Sequence, residues 1–506
     1  MDFKKLLSQQ AAIYNSKPAL IFENQPISFS ALSRASFQAA NFLLSRGLSA
    51  GDKIALFMPN IPEAAFSFFG IFSINAVAVP LDFMLTEEEI IHFINHSEAR
   101  LLIACAKKEV DLARVKARCP QLKEIVVCRE KIEGALLWEE VVARSWDKLP
   151  DTKHDENSLA AIFYTSGSTG HPKGVMLTCK NLNNPGKHIN NFLKISDRDI
   201  YLCGGVPFSH LGGLDYLLFM LEFGSTCVLM ARFHPLEFLK AIEKCKVTIF
   251  CIVPAMYVAI LSLKSHEGFD FSSLRYAVVF GAPSTPTLLK RFHALCPNAK
   301  LLNGWGMTET SAPNAFSPDE EKIDSIGKFD FITPAKLIDH EGQELAGPAQ
   351  GELLVGGEGI MAGYYKEEAM TRESLCQGWI KTGDVARRDE NGLYYIAGRI
   401  KEMIKVAGEI VFAPEVEEKI ARFSKIAEVA VVGVADKLRG EVPKAFVVAK
   451  EATSEQELRD FLKEHLAHFK IPHHFEFLKE LPKNRVGKID KQKLKGLPAG
   501  RQGESL

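Results

Sequence analysis

The chain has 506 residues, more than one hydrophobic core can organise, because single cores stop growing near ~250–300 residues; two or more domains are expected. Apolar residues make up 47% and charged residues 24%, which excludes a disordered chain. Lys and Arg total 61 against 62 Asp and Glu, so no basic surplus points to nucleic acid.

From the N-terminus, Ser30–Arg46 reads as an amphipathic helix with Leu32, Ala35, Ala39, Phe42 and Leu43 on one side and Gly47 as its stop. A strand over Lys53–Met58, a helix over Pro62–Ser73 and a short strand over Val77–Val79 follow. The run from Ala64 to Leu81 contains Ser67, Gly70, Ser73 and Asn75, so it predicts a buried helix and strand, not a membrane span. Thr86 to Glu89 is a capping box opening the next helix, and Ala99–Ala104 is another strand. Strands over Ile200–Cys203, Thr226–Met230, Thr248–Ile252 and Tyr276–Phe280 continue the alternation, which implies βαβ units and mainly parallel sheet.

From about Ile338 glycines and turn residues crowd in, and a β-rich subdomain is expected over 338–398. A compact α/β pattern then runs through helix Pro414–Phe423, strands Ala427–Val434 and Lys444–Lys450, and helix Ser454–His465. The expected organisation is a large α/β N-terminal domain over 1–398, a hinge at 399–401, a small α+β domain over 402–495 and a frayed tail over 496–506. Ten cysteines, with no CxxC pair, read as reduced thiols. The opening MDFKKLLSQQ lacks a signal-peptide core, so a cytoplasmic location is expected.

Five segments carry chemistry. The apolar strand Ala160–Tyr164 runs into Thr165, Ser166, Gly167, Ser168, Thr169 and Gly170, then His171, Pro172, Lys173 and Gly174. Glycines that let N–H groups turn inward, four hydroxyls and a lysine suit a polyphosphate, although no GK[ST] follows as in a Walker A loop. Gly304-Trp305-Gly306-Met307-Thr308-Glu309 offers a flat ring, a hydroxyl for phosphate and a carboxylate for Mg²⁺, which prefers hard oxygen ligands. In Lys381-Thr382-Gly383-Asp384 the carboxylate can accept both hydrogen bonds of a ribose diol. Gly398-Arg399 leads through Lys401 and Lys405 to Gly408-Glu409, and Pro482–Lys488 places a cation beside Gly487 near the C-terminus.

In this order the segments resemble the adenylate-forming superfamily, which includes acyl-CoA synthetases, beetle luciferases and peptide-synthetase adenylation domains. The resemblance covers nearly the whole chain. It implies that Thr308 contacts the α-phosphate, Glu309 holds Mg²⁺, and Asp384 and Arg399 hold the ribose. It implies Lys401 as a pivot, Lys405 and Gly408 in a loop for the thioester step, and Lys488 bridging the substrate carboxylate and the α-phosphate. In Val206–Gly213, His210 resembles a gate between acyl pocket and thiol tunnel, with Gly212, Gly213, Gly304 and Trp305 lining the pocket. Gly281-Ala282-Pro283 resembles a segment along adenine and acyl group. Lys483, Arg485, Lys491 and Lys493 read as surface charge or contacts to a CoA phosphate.

The chain departs from the family pattern at Trp305, where Tyr is usual, at Asn303, where Gln is frequent, and at Ile410, where Asn or Gln is frequent. No Asp stands near His210 before Asp215, which counts against amino acids as substrates. The implied activity is ATP- and Mg²⁺-dependent ligation of a carboxylic acid to coenzyme A through an acyl-adenylate. A fatty acid is the first expectation for the acid. An aromatic acid, or an acyl carrier protein as the acceptor, stays open, as do peripheral membrane contact and oligomeric state.

Overall fold

Two eight-stranded sheets, each mostly parallel, sandwich a layer of helices. The computed structural model describes residues 2–165, 172–264, 266–281, 286–318, 321–436, 438–483 and 489–496. In one sheet the order is Ala315–Phe316, Lys300–Trp305, Tyr276–Val279, Ile249–Ile252, Ile200–Cys203, Thr226–Leu229, Pro18–Phe22 and Gln25–Ser28. The other runs Gly363–Tyr364, Lys173–Thr178, Leu159–Thr165, Val77–Leu81, Lys53–Phe57, Leu101–Cys105, Glu124–Cys128 and Leu136–Leu137.

The strands read as continuous apolar runs because both faces are covered. Along Lys53–Phe57, Ile54 and Leu56 join the central cluster, while Ala55 and Phe57 join the cluster that contains Ile90, Ile91 and Ile94 of helix Glu87–Ser97. The central cluster also takes in helices Phe29–Ser45, Pro62–Ser73 and Leu211–Phe223. Helix Pro62–Ser73 is buried nearly all round, which explains why its sequence imitates a membrane segment. Among the described residues no helix is long and apolar enough to cross a membrane. The capping box at Thr86 and Glu89 forms as expected.

A third sheet is antiparallel and starts at Ala335–Ile338, slightly before the expected point. Its long strands Ala349–Gly356, Trp379–Arg388 and Tyr394–Arg399 carry the chain towards the small domain. The last sheet contains Met403–Val406, Glu409–Phe412, Gly440–Ala449, Ile426–Asp436 and His474–Phe477. Helices Ala413–Ala421 and Glu455–Lys463 pack on it through Val416, Ile420, Leu458 and Leu462. Helices Phe3–Tyr14 and Cys179–Leu193 and strand Lys173–Thr178 are among the elements that stand where none was expected. Most of the expected tail, from 497 on, lies outside the described residues.

Candidate active site

Strands Leu159–Thr165 and Lys173–Thr178 pair antiparallel, with Thr165 opposite Lys173. The hydroxyl-rich segment therefore joins two paired strands. Thr165 and Lys173, at its base, both line a cleft of about 2910 Å³ between the large and small parts of the chain. Lys173 Nζ lies 4.9 Å from the ring centre of Tyr364. Ser166, Gly167, Ser168, Thr169 and Gly170 lie outside the described residues.

Beyond strand Lys300–Trp305 the chain makes a short 3₁₀ turn over Thr308–Thr310, which turns Thr308 and Glu309 into the same cleft. Glu309 is 9% exposed, and Tyr364 Oη donates to its Oε1 at 3.1 Å. Burial raises its proton affinity, opposed by that hydrogen bond and by the charges of Arg399 and Lys173. A buried carboxylate so short of positive charge fits a divalent cation. No group of three or more His, Cys, Asp or Glu able to hold a metal occurs among the described residues. A lone carboxylate still suits Mg²⁺, which keeps several waters and takes further oxygens from substrate phosphates.

Asp384 sits opposite Arg399 across the antiparallel pair Trp379–Arg388 and Tyr394–Arg399. Its Oδ1 accepts from Arg399 Nε at 3.0 Å and its Oδ2 from Trp305 Nε1 at 3.0 Å. Burial raises its pKa, and Arg399 and Trp305 pull it back down. Each carboxylate oxygen keeps lone-pair capacity for another donor, the pattern a diol needs. Trp305 itself is steadied edge-on by Phe329, ring centres 5.6 Å apart. Its replacement of the usual Tyr thus has a visible consequence, an indole N–H that aims the carboxylate. No local pattern signals this contact, or the hydrogen bond from Tyr364 to Glu309.

At the other end of the cleft, His210 is the N-cap of helix Leu211–Phe223, and its Nε2 lies 3.6 Å from Asp82 Oδ2. Gly212 lines the cleft, and a Cβ there would come within 2.9 Å of the Phe280 ring. Gly213 does not line it. A Cβ at that position would sit 2.1 Å from the Pro207 carbonyl oxygen, so this glycine serves the close packing of helix on loop. Gly304 lines the cleft against Phe316, and Gly281, at φ +83°, lines it too; Ala282 and Pro283 fall outside the described residues.

The small domain closes the cleft with Lys401, Lys483, Asp490 and Lys491, among others. Lys405 and Gly408 are exposed and away from the cleft, with Gly408 at φ +94°. Lys488 lies outside the described residues, as does Arg485. The expectation that Lys491 is surface charge is corrected. It is half-buried, 3.2 Å from Glu402 and 2.9 Å from Glu417. Burial opposes its charge, but the two carboxylates prevail and raise its pKa. Lys483 pairs with Glu428 at 2.7 Å, and Lys493 lies 3.8 Å from Asp490. His96 Nδ1 lies 2.7 Å from Tyr164 Oη.

Residues 7–365 match the family model for AMP-binding enzymes, and residues 415–488 match that for the AMP-binding enzyme C-terminal domain. A long-chain-fatty-acid–CoA ligase of Bacillus subtilis (strain 168) is 31% identical, over 97% of this chain and 93% of that protein. A solved anthranilate CoA ligase in complex with anthranoyl-AMP superposes with a TM-score of 0.91 at 27% identity, covering 98% of this chain and 97% of its own. The O-succinylbenzoate coenzyme A synthetase of Bacillus subtilis, in complex with ATP and magnesium, superposes with a TM-score of 0.85 at 28% identity, covering 97% and 99%.

Proposed function

The chain belongs to the AMP-binding enzyme family and is an acid–thiol ligase that uses ATP, Mg²⁺ and CoA through an acyl-adenylate; on that footing we propose that its acid is apolar in body, with fatty acids as the first class. The observation that carries this reading is the mixed lining of one cleft. Lys173, Thr308, Glu309, Asp384 and Arg399 line it together with the apolar Val206, Leu211, Met256, Phe280 and Phe316. An aromatic acid is the second reading, supported by the likeness to the anthranilate CoA ligase.

A carboxylate is a poor electrophile, and bringing it to the α-phosphate joins two anions. The site therefore needs cations and donors aimed at the developing charge. In this reading Thr165–Lys173 cradles the polyphosphate, Thr308 donates to the α-phosphate, and Asp384 with Arg399 holds the ribose. Glu309 would hold Mg²⁺, which when bound neutralises phosphate charge. Lys488 would meet the substrate carboxylate at the α-phosphate. Rotation about Lys401 would then withdraw Lys488 and bring in the Lys405–Gly408 loop, with His210 as the gate towards the thiol. The cleft lining supports the first of these two arrangements, because Lys483 and Asp490, which flank the Lys488 segment, face the cleft while Lys405 and Gly408 do not.

The test is acid-dependent release of pyrophosphate and AMP with CoA present, across aliphatic and aromatic acids. Lys488→Ala should cut adenylation by roughly 10²–10³-fold and leave thioester formation from supplied acyl-AMP largely intact. Equal loss of both half-reactions would refute this division of labour.

A further inference from the structure

The cleft contains two buried polar groups that the proposed chemistry leaves unused. On helix Leu211–Phe223 the cleft is lined by Gly212, Asp215, Tyr216 and Phe219, spaced i, i+3, i+4 and i+7, which is one helical face. Asp215 stands one turn beyond Gly212, about 4.5 Å further along the axis. Its side chain is 4% exposed, and its Oδ1 has no hydrogen-bond partner among the described residues. Tyr201, on strand Ile200–Cys203, is fully buried, lines the same cleft, and has an equally unpartnered hydroxyl. Its ring meets Tyr216 at 6.0 Å and Phe219 at 6.1 Å, so it packs on that same helical face. Tyr216 is already satisfied, because its hydroxyl donates to Cys251 O at 2.5 Å and accepts from Cys251 N–H at 2.9 Å.

Unpaired polar groups in an apolar interior are costly, and a native fold keeps them where something else pairs them. Burial pushes the Asp215 carboxyl well above the usual range and so favours its neutral form, which has one O–H donor and free acceptor capacity. We propose that Asp215 and Tyr201 form a distal anchor of the acyl pocket that selects carboxylic acids bearing a hydroxyl at the end remote from the carboxylate. The proposal rests on the ligase reading above and refines its substrate class. A substrate hydroxyl can accept from the Asp215 carboxyl or pair with the Tyr201 phenol. An alkyl or plain phenyl terminus leaves both groups unpaired. An ammonium would require Asp215 to ionise in surroundings that oppose ionisation.

The experiment compares kcat/KM for pyrophosphate release with matched acids: ω-hydroxy and phenolic acids, their unhydroxylated parents, and ω-amino analogues. The wild type should prefer the hydroxylated member by roughly tenfold or more, as expected for a site built to hydrogen-bond a substrate hydroxyl. Asp215→Leu should invert that order, and its Tm should rise because an unpaired buried carboxyl has been replaced by an apolar group of similar size. Tyr201→Phe removes only the hydroxyl. It should narrow the preference several-fold, and it keeps the test open if the leucine variant does not fold. An unchanged ratio in Tyr201→Phe, a preference for the amino analogue, or a lowered Tm in Asp215→Leu would overturn the anchor. Turnover without any hydroxyl preference would overturn the anchor alone, whereas no pyrophosphate release with any acid would overturn the ligase reading and the anchor with it.

Discussion

Replacing Trp305 by Phe isolates one hydrogen bond. The change keeps a ring against Phe329 and removes the indole N–H that reaches Asp384 Oδ2 at 3.0 Å. Asp384 is 4% exposed, so water cannot take the place of that donor, and Arg399 at Oδ1 becomes the carboxylate's one remaining side-chain partner of the two. A hydrogen bond to a charged group contributes ~1.5–3 kcal/mol. At ~1.4 kcal/mol per tenfold, this corresponds to roughly 10- to 150-fold in ATP affinity if the carboxylate loses its aim entirely. The ribose takes no part in bond-making, so the loss belongs in KM for ATP with kcat nearly unchanged. Acid-dependent pyrophosphate release at varied ATP measures both, and Asp384→Asn serves as the reference because it replaces one acceptor oxygen with a donor. A folded Trp305→Phe enzyme whose KM for ATP stays within about twofold of wild type would refute the claim that the indole aims the carboxylate.

Gly398→Ala tests the arrangement of the small domain. Its Cβ would come within 2.9 Å of the ring of Phe412 on the small domain, a contact that the proposed rotation would change. Overpacking of about 1 kcal/mol predicts a roughly fivefold loss in adenylation and a smaller loss in thioester formation from acyl-AMP, read in separate half-reaction assays. Glu222 gives a pH signature. Burial raises its pKa to about 7, against the partly offsetting charge of Lys187. A carboxyl whose folded pKa is raised favours the fold at low pH, and that contribution is lost as pH rises through about 7. Glu222→Gln should therefore stabilise the protein by at most about 3 kcal/mol at pH 8 and by nearly nothing at pH 4.5, measured by urea unfolding. Equal effects at both pH values would contradict this.

The order of strands and helices was legible because each has its own local signal. Helix Pro62–Ser73 and strand Ile200–Cys203 fall where apolar runs and turn residues place them. Helix Cys179–Leu193 escaped because Pro185 and Gly186 sit in its middle, where both are poor helix formers. The capping box of Thr178 and Asn181 was the available clue. Strand Lys173–Thr178 was hidden behind its function-rich neighbour, the hydroxyl loop. In the site, motif order singled out Lys173, Thr308, Glu309, Asp384 and Arg399, which fall in short local patterns and line one cleft. It did not reveal that Trp305 touches Asp384, because those residues are 79 apart in sequence and only folding joins them. Lys491 looked like one of several exposed cations for the same reason, since the helix that supplies Glu417 is remote in sequence. Asp215 was noticed only as an Asp too late in the motif, because whether a helical residue faces a cavity depends on what packs around the helix.

The ion pairs on either side of the chain crossing make that crossing stiff. Arg399 is tied to Asp384 upstream, and Glu402 is tied to Lys491 downstream. Between these moorings lie Ile400 and Lys401. Peptide bonds are planar, so the soft torsions left to absorb a turn of the small domain are essentially the φ and ψ of those two residues. On the proposed rotation such a joint would work like a crank pin and not like a loose tether. A small twist at its centre would swing the far rim of the lobe through a long arc along one path and leave the lobe's own sheet unbent.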